Sequence, residues 1–267
     1  MPRLPSPVIQ AALCASACSP TSFAWQDPPP HIEAYRQSFA DAAGQRLDGI
    51  VPRDELLREI ASSRVLWIGD HHRHSRLHGL HLELLGQLAN RQQTLGRPIA
   101  LGLEAIGTDD QAAVDEFLAG GTTLQQLRRA AKRRWAGSWL DDRELDPFYF
   151  RSLLGFAQRR SMPVFALEPT PRLPLAARDD YMARSITAAA ERWPDRLLVV
   201  IVGQSHLLGD GDLVARCGLG GVVIGANPSA MLRASRAEPA DRGDCWRSDT
   251  GVLWFDEMFA ESFSGDR

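Results

Sequence analysis

The strongest constraint on this chain is an alternation of short apolar runs with stretches that carry helical punctuation. The runs are Val65-Leu66-Trp67-Ile68, Ile99-Ala100-Leu101-Gly102-Leu103, Val164-Phe165-Ala166-Leu167, Leu197-Leu198-Val199-Val200-Ile201-Val202, Val222-Val223-Ile224 and Val252-Leu253-Trp254-Phe255. They are continuously hydrophobic rather than alternating, as strands covered on both faces must be. Between them, Leu77, Leu80, Leu84 and Leu88 keep one helical face, Thr108-Asp109-Asp110 heads a helix that stops at Gly120-Gly121, Asp146-Pro147 starts another, and residues 176–192 run to a stop before Pro194. This pattern predicts an α/β fold: a mostly parallel central β-sheet flanked by helices on both faces. The runs after residue 220 lie close together and predict an antiparallel edge. Residues 32–62 read as an N-terminal helical extension in two pieces, broken near Gly44–Pro52.

Composition narrows the partners. The chain has 267 residues, enough for one α/β domain that buries its core without staples. Its formal charge of −3 gives no global attraction to nucleic acid or to acidic membranes. Arg128-Arg129 and Lys132-Arg133-Arg134, beside Trp135 and Trp139, read as a solvated helix face, or as arginines that hold a carboxylate or propionate. No uninterrupted apolar run reaches the roughly 18 residues of a spanning helix.

The leader is informative. Arg3 is the only charge before Asp27, and an apolar small-residue stretch from Val8 to Ala17 leads to Cys18. A positive start, a short apolar segment and small residues before a break describe a secretory signal. Ala15-Ser16-Ala17-Cys18 is similar to a bacterial lipobox, in which the cysteine is lipidated. The expected organisation is a signal peptide over residues 1–17, a Pro-rich linker over 18–31 and a single α/β domain over 32–260. The expected location is the periplasm or outer membrane, with the membrane surface reached through a lipid on Cys18. Cys217 and Cys245 then remain, either paired or as two free thiols.

Four expected strands end in residues able to bind or react. The first runs into Gly69-Asp70-His71-His72, the second into Glu104, the third into Glu168, and the fourth into Gly203-Gln204-Ser205-His206. Open parallel sheets bind ligands just beyond their carboxyl ends, so these residues should converge. Glycine at the start of two turns allows a sharp bend, with a histidine three residues later. Histidine with carboxylate suits a divalent ion, for which His72, Glu104 and His206 are the candidates. It equally suits metal-free acid–base chemistry. In the helix behind the first turn, His78 is expected to face the crevice and His81 the core edge, while His71 and His74 are expected in solvent. A serine-hydrolase elbow is excluded because Leu207 stands where glycine is needed. Gly209-Asp210-Gly211-Asp212 offers too few ligands for calcium.

In this order the motifs resemble the haem-binding uptake and Tiki superfamily, and within it the ChaN-like lipoproteins. The residues that carry the resemblance are Gly69-Asp70-His71-His72, His78 and His81, Gly102-Leu103-Glu104, Arg178-Asp179-Asp180-Tyr181-Met182-Ala183, and Val200-Ile201-Val202-Gly203-Gln204-Ser205-His206. Asp70 replaces the family's usual Glu, and His81 stands where Gln is common. The resemblance implies an exported protein that binds haem or iron for uptake, with haem held by a tyrosine. Tyr35, Tyr149 and Tyr181 are the tyrosines present, and none maps onto that ligand. It also implies, as an alternative, a metal-dependent hydrolase of the Tiki or erythromycin-esterase type. There His72, Glu104 and His206 would hold an ion or activate water, and Arg178 would steady negative charge. A third alternative is a non-catalytic binding module on the same scaffold.

Overall fold

The structure, a computed structural model, describes residues 47–72, 75–91, 97–131, 139–141, 146–208, 211–225, 245–248 and 251–254. The leader, Cys18, the linker, Tyr35, most of the N-terminal extension, His74, the 132–135 stretch and Gly209-Asp210 lie outside these residues. The strands are β1 (Leu47–Ile50), β2 (Val65–Asp70), β3 (Ile99–Gly107), β4 (Val164–Glu168), β5 (Leu197–Gly203), β6 (Val222–Gly225), β7 (Cys245–Ser248) and β8 (Gly251–Trp254). The helices are α1 (Arg53–Ser62), α2 (Ser75–Asn90), α3 (Gln111–Leu118), α4 (Leu124–Ala130), α5 (Pro147–Arg159), α6 (Leu175–Arg192) and α7 (Leu213–Cys217).

The strands form one sheet in the order β1-β7-β8-β6-β2-β5-β3-β4. Its central part, from β8 to β4, is parallel throughout. Because successive side chains alternate across a sheet, the continuous apolar runs supply two cores at once. Leu66, Ile68, Leu101, Leu103, Val199 and Ile201 meet Leu56, Leu77, Leu84 and Leu153 of α1, α2 and α5. Val65, Trp67, Leu198, Val200 and Val202 meet Met182, Ile186 and Leu213 of α6 and α7. The expected α/β architecture, with helices on both faces, is therefore the observed one.

Four expectations need correction. Residues 47–50 are a strand, not a helix break: β1 pairs antiparallel with β7, and Val51 N–H donates to the Cys245 carbonyl at 2.8 Å. The late edge is antiparallel only through β7, which carries no apolar run; β6 and β8 are parallel to each other. Glu104 lies inside β3, which continues to Gly107 after its pairing with β5 ends at Leu103. Thr108-Asp109-Asp110 is a 3-10 turn that makes no side-chain cap, since the Asp110 carboxylate instead accepts the Trp139 indole N–H at 3.1 Å. Cys217 and Cys245 are both buried free thiols, and they belong to cores on opposite faces of the sheet.

Candidate functional site

Sheet order decides which strand ends become neighbours. β2, β5, β3 and β4 are adjacent, so Asp70, Gly203, Glu104 and Glu168 are brought to one edge although Asp70 and Gly203 stand 133 positions apart along the chain. In the register Asp70 pairs with Gly203. Alternation then sorts the side chains: Asp70 follows Leu66 and Ile68 to the α2 face, whereas Glu104 points to the α6 face.

On the α2 side, Asp70 is buried and bonded to two histidines. Its Oδ2 is 2.8 Å from His72 Nδ1 and its Oδ1 is 2.8 Å from His78 Nε2. Burial alone would raise the Asp70 carboxyl, but the two histidines overcome it and hold the group well below the usual carboxylate range. The other nitrogen of His78 lies 2.9 Å from Asp146 Oδ2. A neutral imidazole has one N–H, so carboxylates on both sides require the imidazolium. Accordingly, although burial opposes it, Asp70 and Asp146 raise the His78 pKa. His78 stacks on Tyr149 with centroids 4.0 Å apart, and Tyr149 O–H meets His81 Nδ1 at 2.9 Å.

On the α6 side, the Arg178 guanidinium reaches the carboxylates of Glu104 and Glu168, with Nη2 2.8 Å and Nε 3.1 Å from Glu168 Oε2. His206 places Nδ1 on Asp179 and Nε2 3.4 Å from Glu104 Oε1. Burial disfavours the His206 cation, yet Glu104 and Asp179 push its pKa up to about 9. Burial likewise pushes Glu104 upward, but His206, His72 and Arg178 hold it well below the ordinary range. Gly203 N–H donates to Glu104 Oε2. The result is a buried, charge-compensated cluster in which every ionised group has an opposite charge beside it.

The two halves meet at Gly203. A β-carbon built there would stand 3.2 Å from Glu104 Oε2 and 3.3 and 3.4 Å from His72 Cε1 and Nε2. The glycine therefore lets the imidazole of His72 lie over the β5 turn, beside Glu104. The His72 side chain is 27% exposed, whereas those of Asp70, His78, Glu104, Glu168, Arg178 and His206 are at most 6% exposed.

The structure thus gathers Asp70, His72, His78, Glu104, Glu168, Arg178 and His206. His81 is buried, with Nδ1 on the Tyr149 hydroxyl. His71 is half-buried rather than solvated, and Arg128 is bound to Asp141 at 2.6 Å instead of facing this cluster. Asp146, Tyr149 and Asp179 were not anticipated as members. A signal for Asp179 was present: with Arg178 it puts two charges on a helical stripe otherwise made of Met182, Ala183, Ile186, Ala189 and Ala190.

The donor set does not suit a metal ion. Both nitrogens of His206 face carboxylates, and the Glu104 oxygens already accept from Arg178, His206 and Gly203 N–H. Among the described residues, no group of three or more His, Cys, Asp or Glu is disposed to hold an ion. Nor does Tyr149 suit a haem iron: it is buried, hydrogen-bonded and stacked, and burial, with Asp70 and Asp146 nearby, raises its phenol well above the ordinary value.

Residues 56–174 match the family model described as haem-binding uptake, Tiki superfamily, ChaN, so the resemblance read from the motifs holds over that stretch. Among solved structures, the chain is similar to the type III effector HopBA1, with a TM-score of 0.51 and 17% identity over 80% of this chain and 99% of that one. It also matches ChaN of Campylobacter jejuni, described as binding haem cofacially, with a TM-score of 0.45 and 9% identity over 66% and 86%. The C-terminal region of Pasteurella multocida toxin gives a TM-score of 0.46 and 17% identity, with 71% of this chain covering 26% of that one. No protein of curated function matches.

Proposed function

We propose that this chain, matched over residues 56–174 to the haem-binding uptake, Tiki superfamily, ChaN family, is a metal-free hydrolase with His72 as its general base. One observation carries the reading: His72 is the most accessible imidazole of the charged cluster, and its Nδ1 is fixed on Asp70. That contact assigns the N–H to Nδ1 and leaves the lone pair on Nε2, which lies over the β5 turn near Gly203. In the step, Nε2 takes a proton from water as its oxygen bonds to an acyl carbon. The imidazolium then returns that proton to the leaving group as the old acyl bond breaks. Glu104, kept ionised by Arg178 and His206, stabilises the transient charge on His72.

The test uses p-nitrophenyl acetate and fluorescently labelled casein with the purified chain, in the presence of chelator. We expect cleavage that persists with chelator and falls about 10²- to 10⁴-fold in His72→Ala. Equal rates for His72→Ala and the unaltered chain would sink the assignment, as would activity that needs added metal.

A second reading, uptake of haem or iron, is favoured by the family match. Neither Tyr149 nor any other residue of the buried cluster supports it as an iron ligand, so a haem would have to sit outside that cluster. Titration with haemin reads it directly: a saturable Soret shift supports it, and an unshifted band refutes it. Export belongs to the same proposal and rests on the leader, with lipid on Cys18. Labelled palmitate incorporated by the full chain, but not by Cys18→Ser, is the expected result.

A further inference from the structure

We infer that His78 and Asp146 are positioning residues for His72, forming a charged strut from the start of α5 through the buried His78 to Asp70. The inference rests on the acid–base reading above. Asp146 has three attachments. Its Oδ1 caps α5 by accepting from Phe148 N–H at 3.0 Å and Tyr149 N–H at 3.2 Å. Its Oδ2 lies 2.9 Å from His78 Nδ1. Its own N–H donates to the His72 carbonyl at 2.9 Å. Residue 72 is thus held twice, by its backbone on Asp146 and by its ring on Asp70, and His78 joins those two anchors.

The chemistry explains why a histidine stands at position 78. The buried Asp70 and the partly buried Asp146 each need a cation or a donor on the oxygen that faces His78. The imidazolium supplies one N–H to each, in a rigid plane stacked on Tyr149 at an interplanar angle of 2°. With Oδ1 of Asp70 fixed by His78, Oδ2 is aimed at His72 Nδ1, and the carboxylate cannot rotate to release the ring. A glutamine at position 78 offers a donor to Asp70 but no charge, and its N–H groups share one nitrogen, so they cannot serve carboxylates on opposite sides. Phenylalanine keeps the stack and removes both bonds.

The test is ring nitrogen NMR of the full chain labelled with ¹⁵N-histidine, which needs no substrate. At pH 7 the unaltered chain should show protons on both ring nitrogens of His78 and a single Nδ1–H form of His72. Asp146→Asn keeps the helix cap, since Asn caps as well as Asp, but presents an amide N–H to His78 Nδ1. There His78 should lose its Nδ1 proton. In His78→Phe the single His72 form should give way to a mixture of both tautomers, with partial rescue in His78→Gln. If His78→Phe does not fold, the unaltered chain and Asp146→Asn still decide the matter. A bare nitrogen on His78 in the unaltered chain, or an unchanged His78 in Asp146→Asn, would overturn the strut. An unchanged His72 pattern in both His78 variants would overturn the positioning role. Absence of any hydrolysis by the unaltered chain would instead defeat the acid–base reading and leave these spectra as they are.

Discussion

Gly203 lies beneath the ring of His72, and a β-carbon at that position would come within 3.3 Å of His72 Cε1. The backbone there, with φ of −50° and ψ of 135°, is open to any residue, so the glycine answers to space alone. In Gly203→Ala the methyl group meets Glu104 Oε2 and the half-exposed imidazole, and the imidazole is the part free to yield. The expected outcome is a folded protein, destabilised by about 1 kcal/mol, with hydrolysis lowered far more than stability. Thermal melts alongside rate measurements check it; full activity would mean that the base is not seated over this turn.

Arg178 is nearly buried between two carboxylates, so its removal leaves charge without compensation. Arg178→Met should cost about 3–5 kcal/mol in urea unfolding, the range for breaking one side of a buried ion pair. Arg178→Lys retains the charge but is shorter and lacks the fork that sets both Nε and Nη2 on Glu168, and should recover only part of the loss. A variant as stable as the unaltered chain would show that the pair is not buried in solution.

Much of this cluster was legible from the strand ends, because a parallel sheet collects whatever follows its strands. Asp70, His72, Glu168 and His206 are of that kind, and Glu104 came close, being three residues short of the end of β3. What the sequence concealed were partnerships between elements. Asp146 reads as a helix cap, which it is; its second carboxylate oxygen serves His78, 68 residues earlier, and no periodicity reports such a pairing. The strands β1 and β7 escaped for a different reason. Each has four residues, Leu-Asp-Gly-Ile and Cys-Trp-Arg-Ser, and an edge ladder with partly exposed side chains requires no apolar run.

The two cysteines yield a plain prediction. They lie on opposite faces of the sheet, and burial pushes the Cys217 thiol up to about 12. A thiol in that range is scarcely ionised at neutral pH and reacts slowly. Native protein should show no labelling of Cys217 or Cys245 by iodoacetamide at pH 8 within minutes, and its melting temperature should not move with reductant. A reductant-sensitive melt would contradict the separation of the two cores.

His206 makes stability depend on pH in a direction that can be worked out. Its folded pKa is about 9, above the ordinary histidine value, because Glu104 and Asp179 favour the cation more than burial opposes it. A group whose pKa is raised on folding stabilises most when it is protonated in both states, which here means below about pH 6.5. Between about 6.5 and 9 the folded state binds a proton that the unfolded state has released, so this contribution declines as pH rises, and it is gone above about 9. The full span is on the order of 3 kcal/mol, taken from the shift at 1.36 kcal/mol per unit. Asp70 has the opposite sign: its depressed pKa contributes at neutral pH and is lost as the medium becomes acidic. Stability should therefore fall on both sides of a slightly acidic optimum. Urea unfolding at pH 6, 7.5 and 9.5 measures the alkaline limb. In His206→Gln that limb should become shallower, His78 supplying the remainder, while the acid limb stays, because Asp70 keeps its histidine partners. An alkaline limb of equal slope in the variant would assign it to another group and leave His206 neutral in the folded protein.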